Sequence, residues 1–238
     1  MTTREDLSAL SADEIEAVEK LTLRWVFQAA LDFGMEAHEV FLKSPDDVKD
    51  IAEDITRELL DRLPGHNVPQ RIFGTVDYKK ARYIILPDQT IRQALFVDSK
   101  AEKSNSTATI QMSQSSMLIR QRRGGQEVQE SGSLPRISEY AGRQYLTTTV
   151  LLHFKYADIG KTHYLQEATL SAIPNGLLQE RYNPDAAETI WLAGRNAPSR
   201  GEDFRVRLSF SRLQARCPWR VQKIMYDSRR GCEGTWHD

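Results

Sequence analysis

Asp98-Ser99-Lys100 closes the apolar run Ala94-Leu95-Phe96-Val97, and Asp77 stands 21 positions earlier, after Ile72-Phe73-Gly74-Thr75-Val76. Two carboxylates and a lysine suit one kind of chemistry. The acids offer hard oxygen ligands to Mg²⁺ beside a scissile phosphate, while the ammonium handles the attacking water. The tripeptide Asp-x-Lys is not specific, because Asp47-Val48-Lys49 and Asp77-Tyr78-Lys79 repeat it. Context separates the copies. Asp47 falls at the start of a predicted helix, where an acid meets the positive end of the dipole, so this copy reads as structural. Asp98 leaves a buried strand for the polar stretch Ser104-Asn105-Ser106-Thr107. Residues two apart on a strand share a face, so Asp98 and Lys100 meet one substrate. Solvated charges at strand ends would give the same pattern, and the residues alone leave both readings open.

The elements that position these residues follow from periodicity. Ser11 with Glu14 forms a capping box, and Ile15, Val18, Thr22, Trp25 and Ala29 recur at helical spacing, predicting a helix over about 11–33. Ser44-Pro45 supplies an N-cap and a first-turn proline for a second helix. Its stripe is Val48, Ile51, Ile55 and Leu59, and it ends near Leu63-Pro64-Gly65. Strands are expected at 70–77, 80–86, 91–99, 145–156 and 163–173. A hairpin through Leu86-Pro87-Asp88-Gln89 would set the strands of Asp77 and Asp98 side by side. The stretch 102–135, rich in Ser, Gln and Arg, reads as a partial helix followed by a mobile loop. The result is an α/β fold with a central mixed sheet flanked by N-terminal helices.

A chain of 238 residues, 40% apolar and 27% charged, buries one sizeable core, so a single domain over 1–238 is expected. Its parts are an acidic helical segment (1–66), a sheet segment carrying the chemistry (70–173) and a basic segment (174–238). No apolar run is long enough to cross a membrane and the N-terminus lacks a signal-peptide core, which points to a soluble cytoplasmic protein. Cys217 and Cys232 form neither a disulfide framework nor a zinc pattern with the scattered histidines. No phosphate-binding loop accompanies Gly124-Gly125. Trp191, Trp219, Tyr156 and Tyr164 read as core rather than base-stacking residues.

A formal net charge of −1 conceals strong segregation. Residues 1–66 hold 16 acids against 7 Lys or Arg, whereas 195–230 holds 10 Lys or Arg against 3 acids. Exposed charges act over only ~8–10 Å at physiological salt, so a local basic surface is what attracts phosphates. Within it, Phe204, Val206, Leu208 and Phe210 alternate with Arg205, Arg207 and Ser209. This is a half-buried strand presenting two arginines suited to bidentate contacts with guanine or to phosphate.

Ordered blocks along the chain raise the specificity of this reading. They are Glu16-Ala17-Val18-Glu19-Lys20, Ala52-Glu53-Asp54-Ile55-Thr56, Val76-Asp77-Tyr78-Lys79, Val97-Asp98-Ser99-Lys100-Ala101, Ile173-Pro174-Asn175-Gly176, Arg181-Tyr182-Asn183-Pro184-Asp185 and Cys217-Pro218-Trp219-Arg220. With these, the chain resembles the SfiI/BglI group of restriction endonucleases within the PD-(D/E)xK nuclease superfamily. The resemblance implies a type II enzyme that cuts double-stranded DNA at an interrupted palindrome with Mg²⁺. Asp77, Asp98 and the Ser99 main-chain carbonyl would hold the metal, and Lys100 would be the catalytic lysine. Related nucleases also bring a helix glutamate toward the metal, which makes Glu53 a candidate in the outer shell, although it projects about 140° from Val48, off the apolar stripe. The DNA-reading positions implied are Arg195, Asn196, Arg200, Arg205 and Arg207. Both resembling enzymes carry lysine where this chain has Arg195, which puts the half-site sequence in question. The group also implies a homotetramer, with a homodimer as the alternative, and a cognate DNA methyltransferase without a stable complex. A repair or junction-resolving nuclease and a catalytically silent DNA-binding protein are the competing functions.

Overall fold

In a computed structural model describing residues 6–44, 47–62, 70–72, 82–85, 90–104, 106–227 and 231–238, the capping box at Ser11 forms in full. The Ser11 N–H donates to Glu14 Oε2 at 2.8 Å and the Glu14 N–H donates to Ser11 Oγ at 3.3 Å. Helix α1 (Ala12–Asp32) follows. The expected helix thus stops one residue early, because Phe33 caps it and opens a helix that periodicity did not separate, α2 (Gly34–Lys43). Ser44 is the C-cap of α2, not the N-cap of the next helix. That role falls to Asp47, whose Oδ1 accepts from the Lys49 N–H at 2.9 Å to start α3 (Val48–Asp61). Ser44 closes α2 by donating its N–H to the Val40 carbonyl, and because α3 begins only at Val48 the residue adjoining its first turn is Asp47. The proposed first-turn Pro45 lies outside the described residues.

The strands are β1 (Gln70–Ile72), β2 (Arg82–Ile85), β3 (Gln93–Glu102), β4 (Thr107–Gln111), β5 (Leu118–Arg123), β6 (Gln126–Ser131), β7 (Ile137–Tyr140), β8 (Arg143–Ile159), β9 (Thr162–Ile173), β10 (Trp191–Ala193), β11 (Arg205–Ser209), β12 (Val221–Asp227) and β13 (Gly231–Gly234). Short helices α4 (Gln179–Tyr182) and α5 (Phe210–Arg216) precede β10 and β12. The main sheet runs β1-β2-β3-β8-β9-β12-β13, with β7 also on β8. Among the described residues only β3 with β8 pairs in parallel in this sheet, which makes it mixed as expected.

A parallel pair cannot be closed by a hairpin, so a long crossover must join β3 to β8. That crossover is where the expected partial helix and loop of 102–135 proves to be strands. β4 leaves the main sheet and pairs with β11, forming the small sheet β10-β11-β4, while β5 and β6 form a hairpin. Gly124 and Gly125 take φ of 55° and 82°, the left-handed geometry of a two-residue hairpin turn. The apolar signal was too thin to reveal these strands: Val128 is the sole apolar residue of β6, and β5 buries Gln121 beside Ile119.

Side-chain parity divides the core. Leu95 and Val97 of β3, with Val150, Leu152 and Phe154 of β8, face α1, α2 and α3. Burying side chains of this size stabilises by about 1.5–3 kcal/mol each, so this layer holds the helices more firmly than their intrinsic propensity does. Leu146 and Leu151 face the opposite way, toward Ile110, Val206 and Leu208 of the small sheet. Among the described residues no helix is long and apolar enough to cross a membrane.

Candidate active site and nucleic-acid interface

Asp98 lies in β3 opposite Leu151, on the face turned away from the helices and toward the small sheet. Lys100, two residues on, shares that face, and its Nζ sits 2.9 Å from Asp98 Oδ2. Both side chains are largely buried, at 25% and 17% exposure. Asp98 Oδ2 makes no hydrogen bond among the described residues beyond this ion pair. A buried carboxylate oxygen paired with the Lys100 ammonium, beside the Ser99 main chain, is a donor set of the hard, all-oxygen kind that suits Mg²⁺. Asp77 lies outside the described residues, and the described ones alone gather no cluster of three acidic, histidine or cysteine ligands. The described part of the strand expected at 70–77 is β1, and its continuation to Asp77 lies outside the described residues. β2 stands between β1 and β3, antiparallel to both, so β1 does not adjoin the strand of Asp98.

The same face of β3 carries a third charge that motif reading missed. Glu102 Oε2 lies 3.3 Å from Arg207 Nη2 and 3.6 Å from His153 Nε2. Burial works against the charged form of Glu102. The imidazole of His153, the Arg207 guanidinium and Lys100 outweigh it and hold the carboxyl below its ordinary range. His153 is fully buried, pairs with Lys100 across the β3–β8 ladder and sets its ring edge-on to Phe210 at 5.5 Å. The available signal was parity, since 98, 100 and 102 point the same way.

Strand β11 alternates as expected, with Val206 and Leu208 buried and Arg205 and Arg207 on the polar face, but it is shorter. Phe210 begins α5, because Ser209 Oγ accepts the Arg212 N–H and caps a helix there. Arg205 pairs with Glu202, and Arg207 Nε donates to Thr107 Oγ1 at 2.7 Å. Arg195 and Asn196 are exposed on the loop after β10, and Arg200 ends a 3₁₀ turn over Pro198–Arg200. Asn196 Oδ1 accepts from the Arg205 N–H at 3.1 Å and from Arg123 Nη1 at 2.9 Å. Arg123, on the β5–β6 hairpin, also donates to the Arg205 carbonyl and lies 4.4 Å from the Phe204 ring centroid. Four of the five DNA-reading candidates therefore flank one another on the loop and strand that Arg123 clasps, with Arg207 at the end nearest Glu102. Glu53 projects from α3, partly exposed, with its carboxylate 3.9 Å from Lys49.

Several residues of the ordered blocks meet elsewhere, in the core. Arg220 Nη2 reaches Glu19 Oε2, and Arg220 Nε donates to Tyr182 Oη at 2.6 Å. Tyr182 donates to Glu16 Oε1, and Glu19 Oε1 accepts the Asn175 N–H at 2.8 Å. On the surface, Arg181 pairs with Asp13 and Glu16. Part of the charge segregation along the chain is thus neutralised inside the molecule, by the acidic helix docking on basic residues that follow.

The sequence profile of the family described as "Type II restriction enzyme SfiI" matches residues 30–224. Type II restriction enzyme SfiI of Streptomyces fimbriatus is 34% identical over 239 residues, spanning 94% of this chain and 89% of that protein. The crystal structure of tetrameric restriction endonuclease SfiI bound to cognate DNA superposes with a TM-score of 0.88 at 31% identity, covering 99% of this chain and 94% of that one. Restriction endonuclease BglI bound to its DNA recognition sequence gives a TM-score of 0.72 at 17% identity, covering 89% and 90%, a likeness of fold alone. These likenesses define an α/β protein of the restriction-endonuclease type. The chain belongs to the SfiI family of type II restriction enzymes. Enzymes of this type generally need a divalent metal.

Proposed function

We propose that the chain is a single nuclease domain that cuts double-stranded DNA at a specific interrupted palindrome with Mg²⁺. The observation carrying the site assignment is the largely buried Asp98–Lys100 ion pair, on the sheet face turned toward the arginine-bearing strand β11. Asp77, Asp98 and the Ser99 carbonyl would hold the metal, which when bound supplies Lewis acidity at the scissile phosphate. Lys100 orients the attacking water and offsets the charge that grows on the phosphoryl oxygens as the new P–O bond forms and the old one breaks. Asp98 in turn aligns the Lys100 ammonium. Glu53 is assigned a supporting place at the edge of the site.

Arg195, Asn196, Arg200, Arg205 and Arg207 form the DNA-contacting set, supported by their common loop and strand. Because the solved SfiI is tetrameric, we assign this chain a homotetramer, with a homodimer as the alternative. A cytoplasmic location and a cognate methyltransferase that spares host DNA, without a stable complex, complete the reading. Incubation with plasmid DNA and Mg²⁺, followed by sequencing of the fragment ends, tests it: discrete ends at one repeated sequence support it, and structure-dependent nicking or binding without cleavage defeats it.

A further inference from the structure

The guanidinium of Arg207 is held on two sides. Its Nε donates to Thr107 Oγ1 at 2.7 Å and its Nη2 lies 3.3 Å from Glu102 Oε2. Glu102 belongs to the strand of Asp98 and Lys100 and shares their face, while Arg207 belongs to the small sheet. The contact is partly enclosed, with side-chain exposures of 36% for Arg207 and 27% for Glu102, so salt screens it less than a surface pair. His153 supports the carboxylate from beneath at 3.6 Å and neighbours Lys100 across the ladder. One carboxylate therefore joins the strand that would cleave to the strand that would read.

An arginine fixed at two nitrogens has few rotamers left to lose when its remaining donors engage a base edge or a phosphate, so more of the contact energy appears as discrimination. Its position relative to Lys100 follows from the strand, since Glu102 lies two residues from Lys100 on the same face of β3.

We propose that Glu102 is a positioning residue for site discrimination, holding Arg207 in register with the Asp98–Lys100 pair so that correct reading and cleavage occur together. The proposal rests on the reading of β11 as a DNA-contacting strand. It concerns kcat/KM on the cognate site relative to sites altered at one base pair, not cleavage as such.

The test compares wild type, Glu102→Gln, Glu102→Ala, Arg207→Ala and the Glu102→Ala/Arg207→Ala double variant on a randomised-site library with Mg²⁺, folding being checked by thermal melts. Glu102→Ala should lower the ratio of cognate to single-mismatch cleavage roughly tenfold, within the range one bidentate base contact supplies. Glu102→Gln, which keeps an acceptor without the charge, should fall between, and the double variant should discriminate no worse than Arg207→Ala. Changes that multiply in the double variant, or a Glu102→Ala ratio within about twofold of wild type while Arg207→Ala is altered, overturn the proposal and leave the DNA-reading strand standing. An unaltered ratio in Arg207→Ala defeats both. If Glu102→Ala does not fold, Glu102→Gln carries the same comparison.

Discussion

Arg220 and Glu19 form an ion pair closed to solvent, with Nη2 to Oε2 at 2.6 Å and the guanidinium lying between the rings of Tyr182 and Trp219 at 4.5 and 4.4 Å. The pair ties the middle of α1 to the turn entering β12; the Asn175 N–H donates to Glu19 Oε1, while Arg220 donates through Nε to Tyr182 Oη and through Nη1 to the Ala172 carbonyl. Burial pushes the Glu19 carboxyl upward while Arg220 and the Asn175 N–H pull it back.

Removing one member of such a pair leaves a buried charge without compensation, at a cost of about 3–5 kcal/mol. Arg220→Met and Glu19→Ala should each destabilise on this scale in urea unfolding monitored by circular dichroism. Since both damage one network, their effects should fall well short of additive. A loss under about 1 kcal/mol in either would mean that the cluster is structurally incidental.

The chemistry on β3 gives a sharper expectation. Asp98→Ala and Lys100→Ala should abolish Mg²⁺-dependent cleavage yet keep specific binding in Ca²⁺, which occupies oxygen sites with looser geometry. Gel shifts and single-turnover cleavage on the same oligonucleotide check this, and cleavage by Asp98→Ala within about tenfold of wild type would falsify the assignment.

For the basic loop and strand, base readers and phosphate contacts separate by salt. Arg205→Ala should relax preference at one symmetric base-pair position by ~1–3 kcal/mol if it reads a base. Arg195→Ala, on the exposed loop, should instead weaken binding to all sequences if it meets a phosphate, and lower the salt slope by roughly one. Titrations at several salt concentrations with cognate and unrelated duplexes distinguish the two behaviours.

Acid pH offers a separate handle on Glu102, whose carboxyl is held below the ordinary 4.5. A depressed folded-state value means that the ionised group stabilises the fold above its unfolded pKa, and that this stabilisation is lost as pH falls through the lower folded value. Wild type should therefore melt higher than Glu102→Gln at neutral pH, and the gap should close as the pH drops below 4.5. A gap that widens on acidification reverses the sign and contradicts the local charge balance.

Assembly is tested by rate rather than by contacts. A tetramer that bridges two sites cuts a two-site plasmid faster than a one-site plasmid, whereas a dimer treats them alike. Equal rates together with a dimer mass in light scattering on DNA would remove the tetramer.

The sequence alone determined those features that depend on neighbours along the chain. The capping box and stripe of α1, the stripe of α3, the apolar runs of β3, β8 and β9, and the shared face of Asp98 and Lys100 follow from local hydrogen bonding and from the periods of helix and strand. Only the tertiary structure decided the rest. Whether Phe33 would divide one helix into two depended on what each half packs against. Strands β4 to β6 alternate a few buried residues, Ala108, Ile110 and Ile119 among them, with polar ones, and it is their ladders and a glycine turn that convert so weak an apolar signal into strands. Glu102 with Arg207 and Glu19 with Arg220 are 105 and 201 positions apart in the chain. A charge's partner at that distance is fixed by topology, and the one-dimensional pattern gives each of these side chains the same appearance as a solvated one.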